Sequence, residues 1–178
     1  MLQGYFDRRM EETAVFEFFV RKLPPHRGFL VAAGLEQALD YLETLRFEPW
    51  ELEWMSKSGR FSKAFVEYLE GLRFTGEVHA VPEGTVFFSD EPIVRVTAPL
   101  PQAQLVETRL INLLHFQTLV ASKAARMVLV AQGRPLVDFG LRRAHGEEAG
   151  LLAARASYLA GFSGTATVLA GARFGVPV

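Results

Sequence analysis

The stretch PLVDFGLRRAHGEEAGLLAARASYLAG, residues 135–161, decides the fold. Its first five residues form an apolar run that predicts a buried strand, and the GLRRAHG segment after them predicts a loop. The remainder predicts a helix, because Glu147 and Glu148 suit the positive end of a helix dipole. A second helix is predicted within TATVLAGARFG, residues 165–175, where Gly175 can end it. This alternation of strand and helix indicates a parallel α/β arrangement.

Residues before Gly133 show a different pattern. TAVFEFFVRK (13–22) and RGFLVAAG (27–34) predict neighbouring strands joined by a turn at Pro24-Pro25, and residues 74–98 predict an antiparallel module of three strands. Helices are predicted over 35–46, from Pro49, from Ser62 to Gly71 and over about 102–131, the last turning extended near MVLVA. We expect an N-terminal α+β domain over 1–132 and an α/β segment over 133–178.

Composition excludes several classes of protein. The 178 residues carry a net charge of −1, are 49% hydrophobic and include no cysteine. Disulfide scaffolds, thiolate metal sites and cysteine nucleophiles are therefore excluded, and the charge balance argues against a nucleic-acid partner. Residues 156–172 are the longest uncharged stretch, but they are shorter and more polar than the roughly 20 apolar residues of a membrane span. We expect a cytoplasmic protein without a membrane partner.

Two adjacent arginines are the most informative candidates for a binding site. Arg142 and Arg143 follow a predicted parallel strand, at the sheet edge where α/β proteins bind ligands. Two guanidinium groups can present paired donors to phosphate or carboxylate, so an anion is the natural ligand. The alternative is that these arginines form surface ion pairs with Glu147 or Glu148.

The Ser163-Gly164-Thr165 segment is a second candidate anion site. We predict that it opens the next helix, where free backbone N–H groups and two hydroxyls can bind an anion. The alternative is that these residues serve only as a helix cap. The histidines, His26, His79, His115 and His145, lack the spacing of a metal site, so we expect no protein-bound metal.

Three motifs together resemble the nicotinate phosphoribosyltransferase family. They are DFGLRRAHG (138–146), ASYLAGFSGTATVLAG (156–171) and the terminal FGVPV. The resemblance extends upstream through VFEFFVRKLP (15–24), RGFLVAAGLEQAL (27–39) and ETRLINLLHFQTLVASKA (107–124), so it covers essentially the whole chain.

The resemblance implies a fold and a reaction. It implies a mixed helical and antiparallel N-terminal domain followed by the first part of an irregular α/β barrel, in an enzyme that works as a homodimer. The implied reaction transfers phosphoribose from phosphoribosyl pyrophosphate to nicotinate, with Mg²⁺ and ATP hydrolysis, and yields nicotinate mononucleotide for NAD salvage. The implied substrate-binding residues are Phe139, Gly140, Arg142, Arg143, Ser163, Gly164 and Thr165.

Ala166 bears on which pyridine is bound. Related nicotinamide-using enzymes carry an aspartate at this position, and the absence of a carboxylate suits an anionic ring acid. The resemblance therefore favours nicotinate, with nicotinamide or quinolinate as the alternative ring.

The family has three segments that this chain lacks. They are a tyrosine-bearing stretch before the position of Met1, a Gly-Thr-x-Ala-His segment after Val178 whose histidine ATP phosphorylates, and the later barrel strands. We therefore expect a fragment that is inactive alone, with uncovered apolar faces at residues 136–137, 151–152 and 168–169. The alternative is a non-catalytic phosphate-binding or interaction module derived from the same family.

Overall fold

The computed structural model describes residues 1–23 and 25–178. Its helices are α1 (Leu2–Asp7), α2 (Leu35–Glu43), α3 (Pro49–Lys57), α4 (Lys63–Gly71), α5 (Leu100–Ala131), α6 (Glu147–Leu159) and α7 (Val168–Phe174). Its strands are β1 (Thr13–Phe18), β2 (Leu30–Val31), β3 (Glu77–Ala80), β4 (Val86–Phe87), β5 (Val94–Pro99), β6 (Val137–Asp138) and β7 (Gly164–Thr165), and a 3-10 turn covers Leu141–Arg143. No helix in these two described ranges has the length and apolarity that crossing a membrane requires.

The chain divides into two compact units that interleave along the sequence. The first unit comprises Met1–Glu17, Glu36–His79 and Val94–Leu110, and the second comprises Phe18–Leu35, Ala80–Ile93 and Ile111–Val178. The division into a domain over 1–132 and a barrel segment over 133–178 stays a prediction about the domains of the family.

Local sequence signals explain the helices of the first unit. Pro49 stands in the first turn of α3, and the side chains of Glu48 and Glu51 close a capping box there. The Ser62 hydroxyl accepts a hydrogen bond from the Phe65 N–H at the start of α4. The Phe6 ring of α1 then packs 4.9 Å from the Tyr68 ring, centroid to centroid. The predicted helices at these positions are confirmed.

The predicted pairing of β1 with β2 is wrong. The three-stranded sheet has the order β1-β5-β3, and β1 runs antiparallel to β5, because the N–H of Leu100 donates to Glu12 O and that of Ile93 to Phe18 O. Strand β2 instead pairs antiparallel with β4, with Leu30 opposite Phe87. The predicted turn at Pro24-Pro25 cannot be compared, since Pro24 lies outside the described residues.

Burial explains why β2 takes different neighbours. All four residues from Leu30 to Ala33 are buried, so both edges and both faces of the segment need protein partners. One edge pairs with β4, and helix α5 supplies the other: the N–H of Val31 donates to Ser122 Oγ at 2.9 Å and that of Ala33 to Thr118 Oγ1 at 3.3 Å. Because hydroxyl groups of α5 occupy this edge of β2, β1 cannot pair with β2 there.

The long helix α5 is confirmed and is more regular than the sequence suggested. It begins at Leu100, so Pro101 stands in the first turn, where its missing N–H costs nothing. It continues to Ala131, so the extended conformation expected near MVLVA is wrong. Its buried face in the second unit packs Ala121 against Val31, Ala33 and Ala156.

The alternation of strand and helix after Gly133 is confirmed in the second unit. Strands β6 and β7 are parallel, with Val137 opposite Gly164 and Asp138 opposite Thr165. The strand expected to be buried over 135–139 is only two residues long, and Val137 is 49% exposed because β7 is its sole paired strand among the described residues.

Helix α6 is better covered than we expected. Leu151 and Leu152 are buried, and Leu151 packs with Ala170 and Phe174 of α7, so the prediction of an uncovered face at 151–152 is wrong. Val168 remains 73% exposed and Leu169 38% exposed. Two short apolar surfaces, at Val137 and at 168–169, are thus open to solvent.

Candidate functional site

The candidate site lies where β6 and β7 end side by side. Because the two strands are parallel and in register at Asp138 and Thr165, the segments that follow them leave from the same sheet edge. The 3-10 turn Leu141–Arg143 follows β6, and Ala166 follows β7. The structure therefore brings residues 139–143 and residues 165–166 to one edge. Ser163 precedes β7, and its N–H donates to the backbone oxygen of Leu136 before β6, so it lies at the opposite ends of the strands.

A hydrogen-bonded chain centred on the Asp138 carboxylate joins the two segments. The Thr165 hydroxyl donates to Asp138 Oδ2 at 2.8 Å, and the Gly140 N–H donates to Asp138 Oδ1 at 3.0 Å. The Thr167 N–H donates to the Thr165 hydroxyl oxygen at 3.0 Å. The Ala166 N–H donates to the backbone oxygen of Asp138 at 2.8 Å. Four hydrogen bonds thus fix the two loops at this edge.

Both arginines of the loop are exposed and unpaired in the structure. Neither Arg142 nor Arg143 makes a side-chain hydrogen bond or ion pair with any described residue, so the alternative pairing with Glu147 or Glu148 is absent there. The Phe139 side chain beside them is 70% exposed. Two guanidinium groups with free donors at a sheet edge are suited to an external anion.

The Ser163-Gly164-Thr165 segment is a strand, so the prediction that it opens a helix is wrong. Helix α7 begins later, at Val168, and the N–H groups of Ser163 and Thr165 donate to the backbone oxygens of Leu136 and Pro177. A Cβ at Gly164 would lie 2.6 Å from Pro177 O, so this glycine permits the close approach of the Pro177 backbone. Substrate binding by Ser163, Gly164 and Thr165 stays a prediction.

Ala166, which directly follows β7, is exposed. The side chains of Thr165 and Thr167 on either side of it are buried, at 2% and 5% exposure, and that of Ala166 faces outward. A substituent at position 166 would therefore extend toward solvent rather than into the protein interior. The ring preference assigned to Ala166 remains a prediction.

A buried ion pair in the second unit was missed by sequence reasoning. Arg155 Nη2 lies 2.6 Å from Glu83 Oε2, and Arg155 Nη1 lies 2.9 Å from Glu83 Oε1, with the two side chains only 11% and 15% exposed. Glu83 Oε1 also accepts from the N–H groups of Gly34 and Leu35 at the start of α2. The Arg155 guanidinium further lies 5.9 Å from the centre of the Phe174 ring.

The electrostatics of this pair follow from its contacts. Burial alone would raise the pKa of the Glu83 carboxyl, but the hydrogen bonds and the charge of Arg155, with the N–H groups of Gly34 and Leu35, bring the pKa below its ordinary value. No sequence signal could have found this pair, since 72 residues separate its partners and Glu83 lies in an ordinary turn sequence.

The described residues contain no cluster of three or more histidine, aspartate or glutamate side chains that could hold a metal ion. His145, the histidine nearest in sequence to the arginine loop, is exposed. The β6–β7 edge thus offers the guanidinium groups of Arg142 and Arg143 as donors for an anion, since the N–H groups of Gly140, Ala166 and Thr167 already donate within the protein.

Comparisons with known proteins match most or all of this chain. Residues 1–115 match the family model described as nicotinate phosphoribosyltransferase N-terminal domain. The chain is 52% identical over 177 residues to a nicotinate phosphoribosyltransferase of Mycobacterium tuberculosis, covering 99% of this chain and 38% of that protein. It is 46% identical over 168 residues to the nicotinate phosphoribosyltransferase of Bacillus subtilis, covering 94% of this chain and 34% of that protein.

Solved structures give the same fold. The crystal structure of human nicotinic acid phosphoribosyltransferase matches all of this chain and 36% of its own with a TM-score of 0.91 and 38% identity. A nicotinate-nucleotide pyrophosphorylase from Pyrococcus furiosus matches with a TM-score of 0.78 at 20% identity, over 99% of this chain and 38% of its own, which supports the fold alone. The chain spans between a third and two fifths of the length of the curated relatives named above.

Proposed function

Since the chain belongs to the nicotinate phosphoribosyltransferase family, we propose that it takes part in transferring phosphoribose from phosphoribosyl pyrophosphate to nicotinate. In this reaction the ring nitrogen of nicotinate forms a bond to C1 of the ribose, and pyrophosphate leaves with the electrons of the broken C–O bond. The product is nicotinate mononucleotide, a precursor of NAD.

The observation that carries this proposal is the pair of exposed, unpaired arginines at the β6–β7 edge. Charge develops on the leaving pyrophosphate, and fixed cationic donors aimed at that charge stabilise the transition state. The proposal assigns to Arg142 and Arg143 the neutralisation of phosphate or pyrophosphate oxygens, and it is supported by their exposure and by the exposed Phe139 side chain in the same loop. The proposal assigns the ring side of the site to the exposed Ala166 on the neighbouring segment, because an acidic side chain at this position would repel the nicotinate carboxylate.

The family resemblance also supports Mg²⁺, ATP hydrolysis, a homodimer and a cytoplasmic location as parts of the proposal. The described residues include no group of three or more histidine, aspartate or glutamate side chains that could hold a metal ion, so the proposal assigns Mg²⁺ to no residue of this chain. The phosphorylated histidine of the family has no counterpart in this sequence, so the coupling to ATP is likewise assigned to no residue here.

Formation of nicotinate mononucleotide by the product of the whole reading frame that contains this sequence tests the proposal. With phosphoribosyl pyrophosphate, Mg²⁺ and ATP present, we expect labelled nicotinate to be converted, and unlabelled nicotinate to compete far better than nicotinamide or quinolinate. Residues 1–178 expressed alone are expected to give no product. Conversion of nicotinamide or quinolinate in preference to nicotinate would contradict the role of Ala166, and no conversion of any ring would contradict the proposed function.

A further inference from the structure

The Asp138 carboxylate touches both segments of the candidate site, yet it is not itself among the exposed anion-binding groups. Its Oδ1 accepts from Gly140 and its Oδ2 from the Thr165 hydroxyl. An ionised carboxylate only accepts hydrogen bonds, so the Thr165 hydroxyl must donate to it. The remaining lone pairs of that hydroxyl then face the Thr167 N–H, which donates to it at 3.0 Å. The donor and the acceptor of each hydrogen bond around the Asp138 carboxylate are thereby fixed.

On the β6 side, the hydrogen bonds of Asp138 fix the start of the arginine turn, the 3-10 turn Leu141–Arg143 that carries both arginines. The Gly140 N–H is held by Asp138, and the Gly140 carbonyl accepts from the Arg143 N–H at 2.9 Å, which closes the 3-10 turn. A Cβ at residue 140 would lie 3.0 Å from Asp138 Oδ1, so glycine allows the carboxylate to approach this closely. The backbone that carries Arg142 and Arg143 is therefore anchored to the carboxylate.

On the β7 side, the same carboxylate sets the bend that displays Ala166. The Thr165 side chain is 2% exposed and spans from Asp138 to the Thr167 N–H, so it holds the residues on both sides of Ala166. The Ala166 N–H is held in turn by the Asp138 backbone oxygen. One aspartate thus fixes the phosphate-facing turn and the ring-facing residue relative to each other.

We propose that Asp138, acting through the Thr165 hydroxyl, is a positioning residue that sets the distance between the arginine turn and Ala166. This inference rests on the proposed function, in which one segment binds the phosphates and the other faces the ring. Two reactants must be aligned for the new bond to form, and a small misplacement of one lowers the rate steeply. Loosening the Asp138–Thr165 link should therefore lower kcat more than it raises the KM of either substrate.

The test compares Thr165→Val, which keeps the shape of the side chain but removes the hydroxyl, with Thr165→Ser, which keeps the hydroxyl. In the product of the whole reading frame we expect kcat to fall on the order of 10- to 100-fold in Thr165→Val, with smaller changes in either KM, and Thr165→Ser to retain most of the wild-type kcat. Thr118→Val is the matched control, because it removes another buried hydroxyl of the same unit that bonds to Ala33 instead.

Hydrogen exchange provides a readout that does not depend on turnover. The Gly140 and Arg143 amides are expected to exchange faster in Thr165→Val than in wild type, and to be unchanged in Thr118→Val. Unchanged exchange at these amides, or an equal loss of kcat in Thr165→Val and Thr118→Val, would overturn the inference. A wild-type protein that forms no nicotinate mononucleotide would overturn the proposed function, while the exchange comparison would still decide whether Asp138 and Thr165 position the turn.

Discussion

Arg155→Leu is expected to destabilise the second unit by up to about 3–5 kcal/mol, because it leaves the largely buried Glu83 carboxylate without its arginine partner. Both carboxylate oxygens receive hydrogen bonds from the Arg155 guanidinium, and the carboxylate also holds the first N–H groups of α2. Native-state hydrogen exchange of the slowest amides of α6, in the product of the whole reading frame, measures the loss directly.

Two further variants separate a buried charge from general damage to this part of the chain. Arg155→Leu combined with Glu83→Gln removes both charges and keeps an acceptor for Gly34 and Leu35, so it should recover much of the lost stability. Arg95→Leu breaks the Arg95–Glu17 pair, whose arginine is 56% exposed, and should cost less than about 1 kcal/mol. Equal losses in Arg155→Leu and Arg95→Leu would contradict the account.

The same pair gives stability a dependence on pH. Because the pKa of Glu83 is lower in the folded protein than its ordinary value, the pair contributes fully above the unfolded pKa, about 4.3. That contribution is lost as the pH falls through the folded pKa. We expect acid unfolding of the wild type to be steeper over this window than that of the variant carrying both Arg155→Leu and Glu83→Gln.

Gly34→Ala is expected to destabilise the protein strongly, through its backbone conformation and through a clash with α5. Gly34 has a φ of +99°, and an added Cβ would lie 2.7 Å from the backbone oxygen of Leu113 and 2.9 Å from Gln117 Nε2. The conformation costs about 1–3 kcal/mol for a residue with a side chain, and the clash with the α5 backbone adds about 1–3 kcal/mol.

Comparison with Gly133→Ala separates the contribution of the clash from that of the backbone conformation. Gly133 has a similar φ of +82°, but nothing lies within 4 Å of an added Cβ, so this variant should show the conformational cost alone. Both variants are compared by their thermal midpoints and by hydrogen exchange of β2. If Gly34→Ala is no more destabilised than Gly133→Ala, the tight packing of β2 on α5 is not as described.

The helices and the α/β unit could be predicted because their signals are local. Pro49, Ser62 and Gly175 mark helix ends through their own backbone and side-chain chemistry, and each acts as expected. Strand pairing depends on contacts between distant residues. The hydroxyls of Thr118 and Ser122, which complete the edge of β2, lie 85 and 91 residues away from it and carry no strand signal.

The exposed position of the two arginines could be predicted from the sequence, but the hydrogen bonds that hold their loop could not. Two adjacent arginines after an apolar run predict exposed cations at a strand end, and Arg142 and Arg143 are both exposed after β6 in the structure. Substrate binding by Thr165 stays a prediction, whereas the hydrogen bond from its hydroxyl to Asp138 could not be predicted. This hydrogen bond forms because Asp138 of β6 lies opposite Thr165 of β7, and these two residues are 27 positions apart in the sequence.

Binding of phosphoribosyl pyrophosphate, measured by isothermal titration calorimetry on the product of the whole reading frame, tests the central claim most directly. The claim is that the Arg142–Arg143 turn is the anion site of this chain. The variant carrying Arg142→Ala and Arg143→Ala loses two charge-assisted contacts of at least about 1.4 kcal/mol each, so we expect its affinity to fall at least about 100-fold. Arg134→Ala, which removes an exposed arginine before β6, should bind as the wild type does. Wild-type affinity in the double variant would contradict the claim.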